Sequence, residues 1–214
     1  MVKRARVLLA DDHALILAGI RGLLEVHYDI VEEVGDGRSL VEAALRLRPD
    51  LMIIDISLPL LNGIDAARQI RKIWPEAKLV FLSMHSSPVY LREAIDAGGE
   101  AYVLKTSAKE ELRIAVEKVL DGQTYVSQSF DPGVRESVDP SLGARGRLSA
   151  RLTARQIEVL QLVAEGFGNK EIADRLHISM KTVEFHRGRM MAKLGAHNVA
   201  DLIRYAVQSG IVSV

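Results

Sequence analysis

Three carboxylates come directly after apolar runs in the first half of this sequence. Asp11 and Asp12 follow one such run, and Asp55 follows another. If these runs are neighbouring strands, the like charges must either raise one another's pKa or recruit a cation. Carboxylate oxygens are hard ligands that suit Mg²⁺. The spacing therefore predicts a divalent-cation site.

A hydroxyl and an ammonium end two later apolar runs, at Ser83 and Lys105. With the carboxylates and a cation, they could hold a phosphoryl group. The cation and Lys105 would offset the charge of its oxygens, Ser83 would donate a hydrogen bond, and Asp55 would be the nucleophile. Singly, each residue has a simpler explanation: an aspartate pair can cap a helix, and a lone serine or lysine is often structural. Their joint placement favours phosphoryl chemistry.

The elements that would bring these residues together alternate regularly over the first 120 positions. The predicted strands are Arg6–Ala10, Tyr28–Val34, Leu51–Ile54, Lys78–Leu82 and Ala101–Leu104. The predicted helices are Ala14–Val26, Ser39–Leu47 with Ser39 as its N-cap, Gly63–Ile73, Pro88–Ala97 and Ala108–Leu120. This pattern predicts an α/β fold with a doubly wound, five-stranded parallel sheet of order 2-1-3-4-5. Ligands bind such sheets at the carboxyl ends of the strands.

The alternation stops after residue 121. Residues 122–148 are rich in glycine, proline and serine and have no apolar period, so we expect a linker. It would join a first domain, residues 1–121, to a second, residues 149–214.

The second domain is predicted to be all-α, with four helices. They are Ala154–Glu165 capped by Thr153, Asn169–Leu176, a helix capped by Ser179 that runs to Leu194, and Val199–Gln208. Residues 169–188 have the short helix, tight turn and second helix of a helix-turn-helix unit. A four-helix unit of modest charge could instead bind protein.

The start and the outward face of the second helix of this motif supply the predicted DNA contacts. They are Ser179, Lys181, Thr182, Glu184, Phe185, Arg187, Gly188 and Arg189. The basic side chains and hydroxyls could contact phosphates. Phe185 suits a thymine methyl group, and Glu184 could accept from cytosine. His186 falls on the apolar stripe and is predicted to pack inside.

Composition excludes several other classes of protein. Hydrophobic residues make up 48% of the 214 positions, which is enough for packed cores. The absence of cysteine excludes disulfides and thiolate zinc sites. No apolar stretch approaches the roughly 20 residues of a membrane span, so we expect a cytoplasmic protein without a membrane partner. The net charge is zero, with a mildly basic second half that permits nucleic-acid contact.

Two sets of motifs resemble known families. Asp11-Asp12, Asp55-Ile-Ser-Leu-Pro59, Ser83 and Gly98-Gly-Glu-Ala-Tyr-Val-Leu-Lys105 resemble a receiver domain. Leu152-Thr-Ala-Arg-Gln-Ile-Glu-Val-Leu160, Lys181-Thr-Val-Glu184 and Lys193-Leu-Gly195 resemble a LuxR-type DNA-binding domain. Over nearly its whole length the chain is similar to two-component response regulators of the NarL/FixJ class.

The resemblance to receivers implies a role for each site residue. Asp55 would be the phosphoacceptor, and Mg²⁺ or Mn²⁺ would be bound by Asp11, Asp12, Asp55 and the carbonyl of Ser57. Lys105 would bind the phosphoryl group, with Ser83 as the switch hydroxyl and Tyr102 as the switch aromatic. Phosphorylation is expected to draw Ser83, and then Tyr102, inward.

The implied protein is a DNA-binding transcriptional regulator whose phosphorylation controls dimerisation. Its partners would be a sensor histidine kinase, double-stranded promoter DNA, a second copy when phosphorylated, and RNA polymerase as a further candidate. It would not be an enzyme beyond its own phosphoryl transfer and dephosphorylation. Two alternatives stay open: regulation independent of phosphorylation, and an aspartate-nucleophile phosphotransferase. The latter commonly has a second acid two residues after the nucleophile, where this chain has Ser57.

Overall fold

The computed structural model describes residues 4–137, 152–209 and 211–212. The chain forms two compact units that divide between residues 146 and 147. None of the helices in the described ranges is long and apolar enough to cross a membrane.

The first unit alternates strands and helices along the chain. Its elements are β1 (Arg6–Ala10), α1 (Ala14–Leu24), β2 (Asp29–Val34), α2 (Gly37–Leu47), β3 (Leu51–Asp55), α3 (Gly63–Ile73), β4 (Leu79–Ser83), α4 (Pro88–Asp96), β5 (Ala101–Leu104), α5 (Ala108–Leu120), β6 (Tyr125–Val126) and α6 (Pro132–Ser137). A short 3₁₀ turn at Lys105–Ser107 joins β5 to α5. The predicted alternation is confirmed.

The sheet is parallel throughout, and its strand order is β2-β1-β3-β4-β5-β6. The predicted order of the first five strands is confirmed, but the predicted count of five was wrong. The sixth strand pairs Tyr125 with Ala101 and Val126 with Tyr102. A strand of two residues shows no periodicity, so the pattern of the sequence could not indicate it.

The expected linker, residues 122–148, is therefore partly folded. It contains β6, α6 and Phe130, whose side chain is buried in the core. These elements form through contacts with distant parts of the sheet rather than through local propensity. Residues 138–148 of the expected linker lie outside the described residues.

The start of α2 also differs from the prediction. Ser39 is the third residue of the helix, and Asp36 is its N-cap, with a carboxylate that accepts from the backbone N–H groups of Arg38 and Ser39, both at 2.9 Å. The Ser39 hydroxyl donates to the same carboxylate. An aspartate satisfies these free N–H groups as well as a serine does, which explains the shift.

Apolar side chains cover both faces of the sheet, as expected for central parallel strands. One cluster packs the sheet against α2, α3 and α4, with Leu8, Ile54 and Phe81 among its members. The other packs it against α1 and α5, with Leu9 and Ile53 among its members. Since both faces are covered, polar side chains are displaced to the strand ends, where the site forms.

The second unit consists of α7 (Ala154–Ala164), α8 (Asn169–Leu176), α9 (Met180–Leu194) and α10 (Val199–Gln208). Thr153 caps α7 and Ser179 caps α9, as predicted, and Gly195 ends α9 with a φ of 66°. His177 turns the chain between α8 and α9 in the left-handed region. The core is formed by the buried side chains of Leu160, Ile172, Leu176, Val183, Met190 and Leu202.

Candidate functional site

The predicted carboxylates and lysine meet at the carboxyl edge of the sheet. Asp11 follows β1 and is 1% exposed, and Asp55 ends β3 and is 2% exposed. Lys105, directly after β5, places its Nζ 2.6 Å from Asp11 Oδ2 and 2.9 Å from Asp55 Oδ2. One ammonium thus bridges two buried carboxylates that come from two neighbouring strands.

Close packing fixes the backbone of Asp55. A Cβ atom on Gly63 would lie 2.0 Å from the Asp55 carbonyl oxygen and 2.7 Å from Ile54 Cγ2, so only glycine allows α3 to start here. The Gly63 N–H donates to the Ile56 carbonyl at 2.9 Å. Half-buried Ser57 donates its N–H to Asp55 Oδ1 at 3.2 Å. The Asp55 carboxylate is therefore positioned by the close packing of its backbone and by the hydrogen bond to one of its oxygens.

Burial and charge act in opposite directions on the ionisable groups of this cluster. Burial raises the pKa of the Asp55 carboxyl above its ordinary value, and the Lys105 ammonium offsets this only in part. Burial also acts to lower the pKa of Lys105, but the carboxylates of Asp55 and Asp11 outweigh it, and the pKa is raised. Lys105 therefore stays charged and compensates the two carboxylates.

The residues present fit a divalent cation. Apart from the Lys105 ammonium, no described group donates a hydrogen bond to Asp11 Oδ2 or Asp55 Oδ2, although both atoms are buried. Asp11, Asp12, His13 and Asp55 each offer a ligand atom, and these atoms lie within 4.8 Å of one another. Buried oxygens with unused lone pairs are the ligands that a hard cation needs.

His13 also belongs to this cluster, although it was not among the residues predicted for the site. Its Nδ1 lies 2.7 Å from Asp12 Oδ1 and 3.3 Å from Asp11 Oδ1, and its side chain is 66% exposed. Its position directly after the aspartate pair was the available signal.

Ser83 and Tyr102 are connected through the backbone of His85. The buried Ser83 hydroxyl accepts from the His85 N–H at 2.9 Å, and the Tyr102 hydroxyl donates to the His85 carbonyl at 2.8 Å. Burial raises the pKa of Tyr102 above its ordinary value. The Tyr102 side chain is fully buried. The ring therefore already lies inside in this structure, and the movement of Tyr102 on phosphorylation stays a prediction.

On α9, most of the predicted DNA contacts point to solvent. Lys181, Glu184, Phe185, Gly188 and Arg189 are exposed, with Phe185 at 56%. The Arg189 guanidinium lies 5.0 Å from the centre of the Phe185 ring. This side of the helix therefore presents an aromatic ring flanked by basic groups.

The start of α9 carries two hydroxyls that already have partners. The Ser179 and Thr182 hydroxyls are 2.8 Å apart, and Ser179 Oγ also accepts from the Thr182 N–H. Each oxygen can still bond to a phosphate, since a hydroxyl both donates and accepts.

Arg187 and His186 face inward more than the other predicted residues do. The half-buried Arg187 donates to the Asn169 side chain on α8, so part of its guanidinium is used within the fold. His186 is half-buried beside the fully buried Val183, and burial, assisted by nearby Arg155, lowers its pKa. The predicted inward position of His186 is consistent with this partial burial.

Two family models match the chain. The response regulator receiver domain matches residues 7–117, and the LuxR family of bacterial regulatory proteins matches residues 150–206. The first covers the carboxylate–lysine cluster and the strands from β1 to β5, apart from Arg6, but not β6, and the second covers α7, α8, α9 and most of α10.

Relatives match over nearly the full length. The transcriptional regulatory protein MctR of Rhizobium johnstonii is 38% identical over 213 residues, which cover 98% of this chain and 96% of MctR. The oxygen regulatory protein NreC of Staphylococcus epidermidis is 33% identical over 215 residues, which cover 97% of this chain and 99% of NreC.

Solved structures of a response regulator are also similar. Salmonella typhimurium RcsB is 30% identical with a TM-score of 0.65, and the match covers 97% of this chain and 99% of RcsB. RcsB bound to a promoter with the phosphomimetic BeF₃⁻ gives a TM-score of 0.59 at 30% identity, covering 99% of this chain and 100% of RcsB. The chain therefore belongs to the two-component response regulators of the NarL/FixJ type, transcriptional regulators that join a receiver domain to a LuxR-family DNA-binding domain.

Proposed function

We propose that Asp55 accepts a phosphoryl group and that its phosphorylation controls dimerisation and promoter binding. The observation that carries this proposal is the Lys105 ammonium bridging the buried carboxylates of Asp11 and Asp55. The described residues (4–137 and 152–212, except 210) hold no other comparable cluster. Phosphorylation belongs to the first unit, with residues 1–121 as its main part, and DNA binding belongs to residues 149–214.

The phosphoryl group would come from a phosphohistidine of a sensor kinase or from a small phosphodonor. A carboxylate oxygen of Asp55 attacks phosphorus, a P–O bond forms, and the P–N bond to the donor imidazole breaks. The leaving nitrogen takes up a proton. Hydrolysis restores the free Asp55 carboxylate: water attacks phosphorus, the P–O bond to Asp55 breaks, and inorganic phosphate leaves with the protons of the water. In both steps the chain itself would catalyse the reaction at its own Asp55.

Three groups would bind the transferred phosphoryl group. Lys105 would exchange part of its contact with Asp55 for a phosphoryl oxygen, and the Ser83 hydroxyl would donate to another. Asp11, Asp12, Asp55 and the Ser57 carbonyl would hold Mg²⁺ or Mn²⁺, which would offset the remaining negative charge. Because Ser83 Oγ accepts from the His85 N–H, a change at Ser83 reaches the loop bonded to Tyr102.

The output would be binding of double-stranded promoter DNA by α9. Ser179, Lys181, Thr182, Arg187 and Arg189 would contact phosphates. Glu184, Phe185 and Gly188 would face the base edges. A phosphorylated dimer would place two copies of α9 in successive major grooves, about one helical turn apart. The structures of RcsB bound to a promoter and of RcsB dimers bound to DNA support promoter binding by a dimer. RNA polymerase is a further candidate partner of the bound dimer.

The test compares the parent with Asp55→Asn in Mg²⁺ with and without acetyl phosphate. We expect mass spectrometry to find a labile phosphoryl adduct on residue 55 of the parent alone. Gel shifts with genomic fragments that the parent binds should tighten on phosphorylation for the parent and stay constant for the variant. EDTA should prevent the adduct.

Other outcomes would favour the alternatives. Equal DNA affinity of both proteins in all conditions would indicate regulation independent of phosphorylation. Repeated release of phosphate to an added acceptor would indicate a phosphotransferase. Ser57, at the position where such enzymes commonly have a second acid, argues against that activity.

A further inference from the structure

The chain after α5 returns to the strand that carries Tyr102. We call residues 125–130 the returning segment. The Tyr125 N–H donates to the Glu100 carbonyl at 3.0 Å, and the Ser127 N–H donates to the Tyr102 carbonyl at 2.9 Å. The backbone of the returning segment is thus bonded to Tyr102 itself.

Phe130, at the end of the returning segment, packs against the side chain of Tyr102. Phe130 is 4% exposed, and the two ring centres are 5.5 Å apart with an interplanar angle of 79°. This is the edge-to-face geometry that aromatic pairs favour. The Tyr102 ring is therefore fixed on its side by Phe130 and at its hydroxyl by the His85 carbonyl.

A second group fixes the returning segment to α5. Glu111 on α5 is 8% exposed, and its carboxylate accepts from the Ser127 hydroxyl and, at 3.1 Å, from the Gln128 N–H. Nearby, the hydroxyls of Ser107 and Ser129 lie 3.0 Å apart. Releasing the segment would leave a buried carboxylate without these donors, which is costly.

We propose that Phe130 is a positioning residue for Tyr102, and that through this contact phosphorylation of Asp55 is coupled to the order of the returning segment. The inference rests on the proposed function of Asp55. Ser83, His85, Tyr102 and Phe130 form an unbroken series of contacts from the site to residues that lead, by chain connectivity, towards the DNA-binding unit. In a close-packed interior, a displacement of Tyr102 must be accommodated by the ring beside it.

The coupling must be reciprocal. If phosphorylation tightens the contacts of Tyr102, it also slows opening of the returning segment. Removing the Phe130 ring must then weaken binding of a phosphoryl group at the site, although Phe130 touches none of the reacting atoms.

The test uses the full chain with Mg²⁺ and the phosphoryl analogue BeF₃⁻. Amide hydrogen exchange of the returning segment is followed as the analogue is titrated. For the parent we expect slower exchange at saturation. For Phe130→Leu we expect that protection to be lost and the analogue to bind at least about fivefold more weakly.

Tyr125→Leu is the matched control. It removes an aromatic ring from the same segment, but Tyr125 packs in the cluster on the other face of the sheet, with α1 and α5. This variant should keep the parental affinity for the analogue and the protection of the segment. If Phe130→Leu behaves as Tyr125→Leu does, Phe130 has no positioning role.

Two further measurements keep the inference testable. Should Phe130→Leu fail to fold, Phe130→Met keeps an apolar side chain but removes the ring beside Tyr102, and it should weaken binding of the analogue in the same direction; parental affinity would overturn the inference. A parental chain that forms no adduct on Asp55 with acetyl phosphate would refute the proposed function itself. An adduct that forms normally but leaves exchange of the segment unaltered would refute the coupling alone.

Discussion

In the receiver unit Lys105 is 8% exposed and lies between two buried carboxylates, whereas in the DNA-binding unit Lys181 and Arg189 extend from α9 into solvent. The charge of Lys105 is already opposed by the carboxylates of Asp11 and Asp55 in the same fold. The charges of Lys181 and Arg189 on α9 have their proposed partners, the phosphates of DNA, on another molecule. The first unit is thus organised around interactions inside itself, and the second presents groups that bind outside it. Substitutions of the same chemical type should therefore have different consequences in the two units.

The largest difference is expected for loss of a lysine ammonium. Lys105→Met leaves two buried carboxylates without their counter-charge, and breaking a buried pair in this way costs about 3–5 kcal/mol. Lys181→Met removes an exposed charge and should change stability by less than about 0.5 kcal/mol. Urea unfolding in EDTA checks both, with the fluorescence of Trp74, the only tryptophan, as the probe of the receiver unit. Circular dichroism follows the whole chain.

Adding Mg²⁺ makes this first test specific for the carboxylate cluster. Mg²⁺ should recover part of the stability that Lys105→Met loses, because the cation supplies positive charge beside Asp11 and Asp55. Mg²⁺ should not change the difference in stability between Lys181→Met and the parent. Failure of Mg²⁺ to stabilise the Lys105 variant would count against the cation site.

A glycine in each unit provides the next comparison. Gly63→Ala would place a Cβ 2.0 Å from the Asp55 carbonyl oxygen, and such overpacking costs about 1–3 kcal/mol. Gly188→Ala meets nothing within 4 Å on α9 and should stabilise the helix by about 0.5–1 kcal/mol. Trp74 fluorescence reports the first substitution. The methyl signal of buried Met190 in a urea titration reports the second. Equal effects would contradict the difference in packing.

The exposed face of α9 should respond through salt dependence rather than through stability. Lys181→Met removes one phosphate contact, so the slope of log affinity against log salt should fall by about 0.9 for a labelled duplex of mixed sequence. Lys109→Met, an exposed lysine of the receiver unit, is the matched control and should leave the slope unchanged. An unchanged slope for Lys181→Met would remove this residue from the DNA-binding face.

The smallest effect concerns acidification of the DNA-binding unit. Burial lowers the pKa of His186 in the folded state, so the unfolded chain binds the proton more tightly. The folded state then loses stability as pH falls through the ordinary pKa of histidine, about 6.5. His186→Gln cannot titrate, and its stability relative to the parent should rise on acidification, by less than about 0.5 kcal/mol. The Met190 methyl signal in urea at two pH values tests this, and a constant difference would contradict it.

The sequence was sufficient to predict the strand ends and the residues they carry. Continuous apolar runs define β1, β3, β4 and β5, and a parallel sheet brings their carboxyl ends to one edge. Asp55 and Lys105, 50 positions apart, could therefore be predicted to meet. Residue types that stabilise helix ends likewise predicted Thr153 and Ser179 as caps.

Features that depend on contacts between distant side chains could not be predicted. Phe130 packs beside Tyr102 in the core, and no local pattern marks that contact. Arg187 was predicted to contact phosphate because it is basic, yet in the fold it donates to Asn169, 18 positions earlier. The contacts of His13 with both aspartates depend on its rotamer. In each case the pairing is set by tertiary geometry.

The pairing of β6 with β5 also determines where the receiver can be cut. A fragment that stops at residue 121, where the apolar pattern ends, would lack β6 and expose the free backbone edge of β5, a template for aggregation. It would also leave the aromatic face of Tyr102 uncovered. The smallest fragment that keeps this sheet edge closed and this ring covered extends to Phe130, and nascent chains complete the receiver only after that residue has been synthesised.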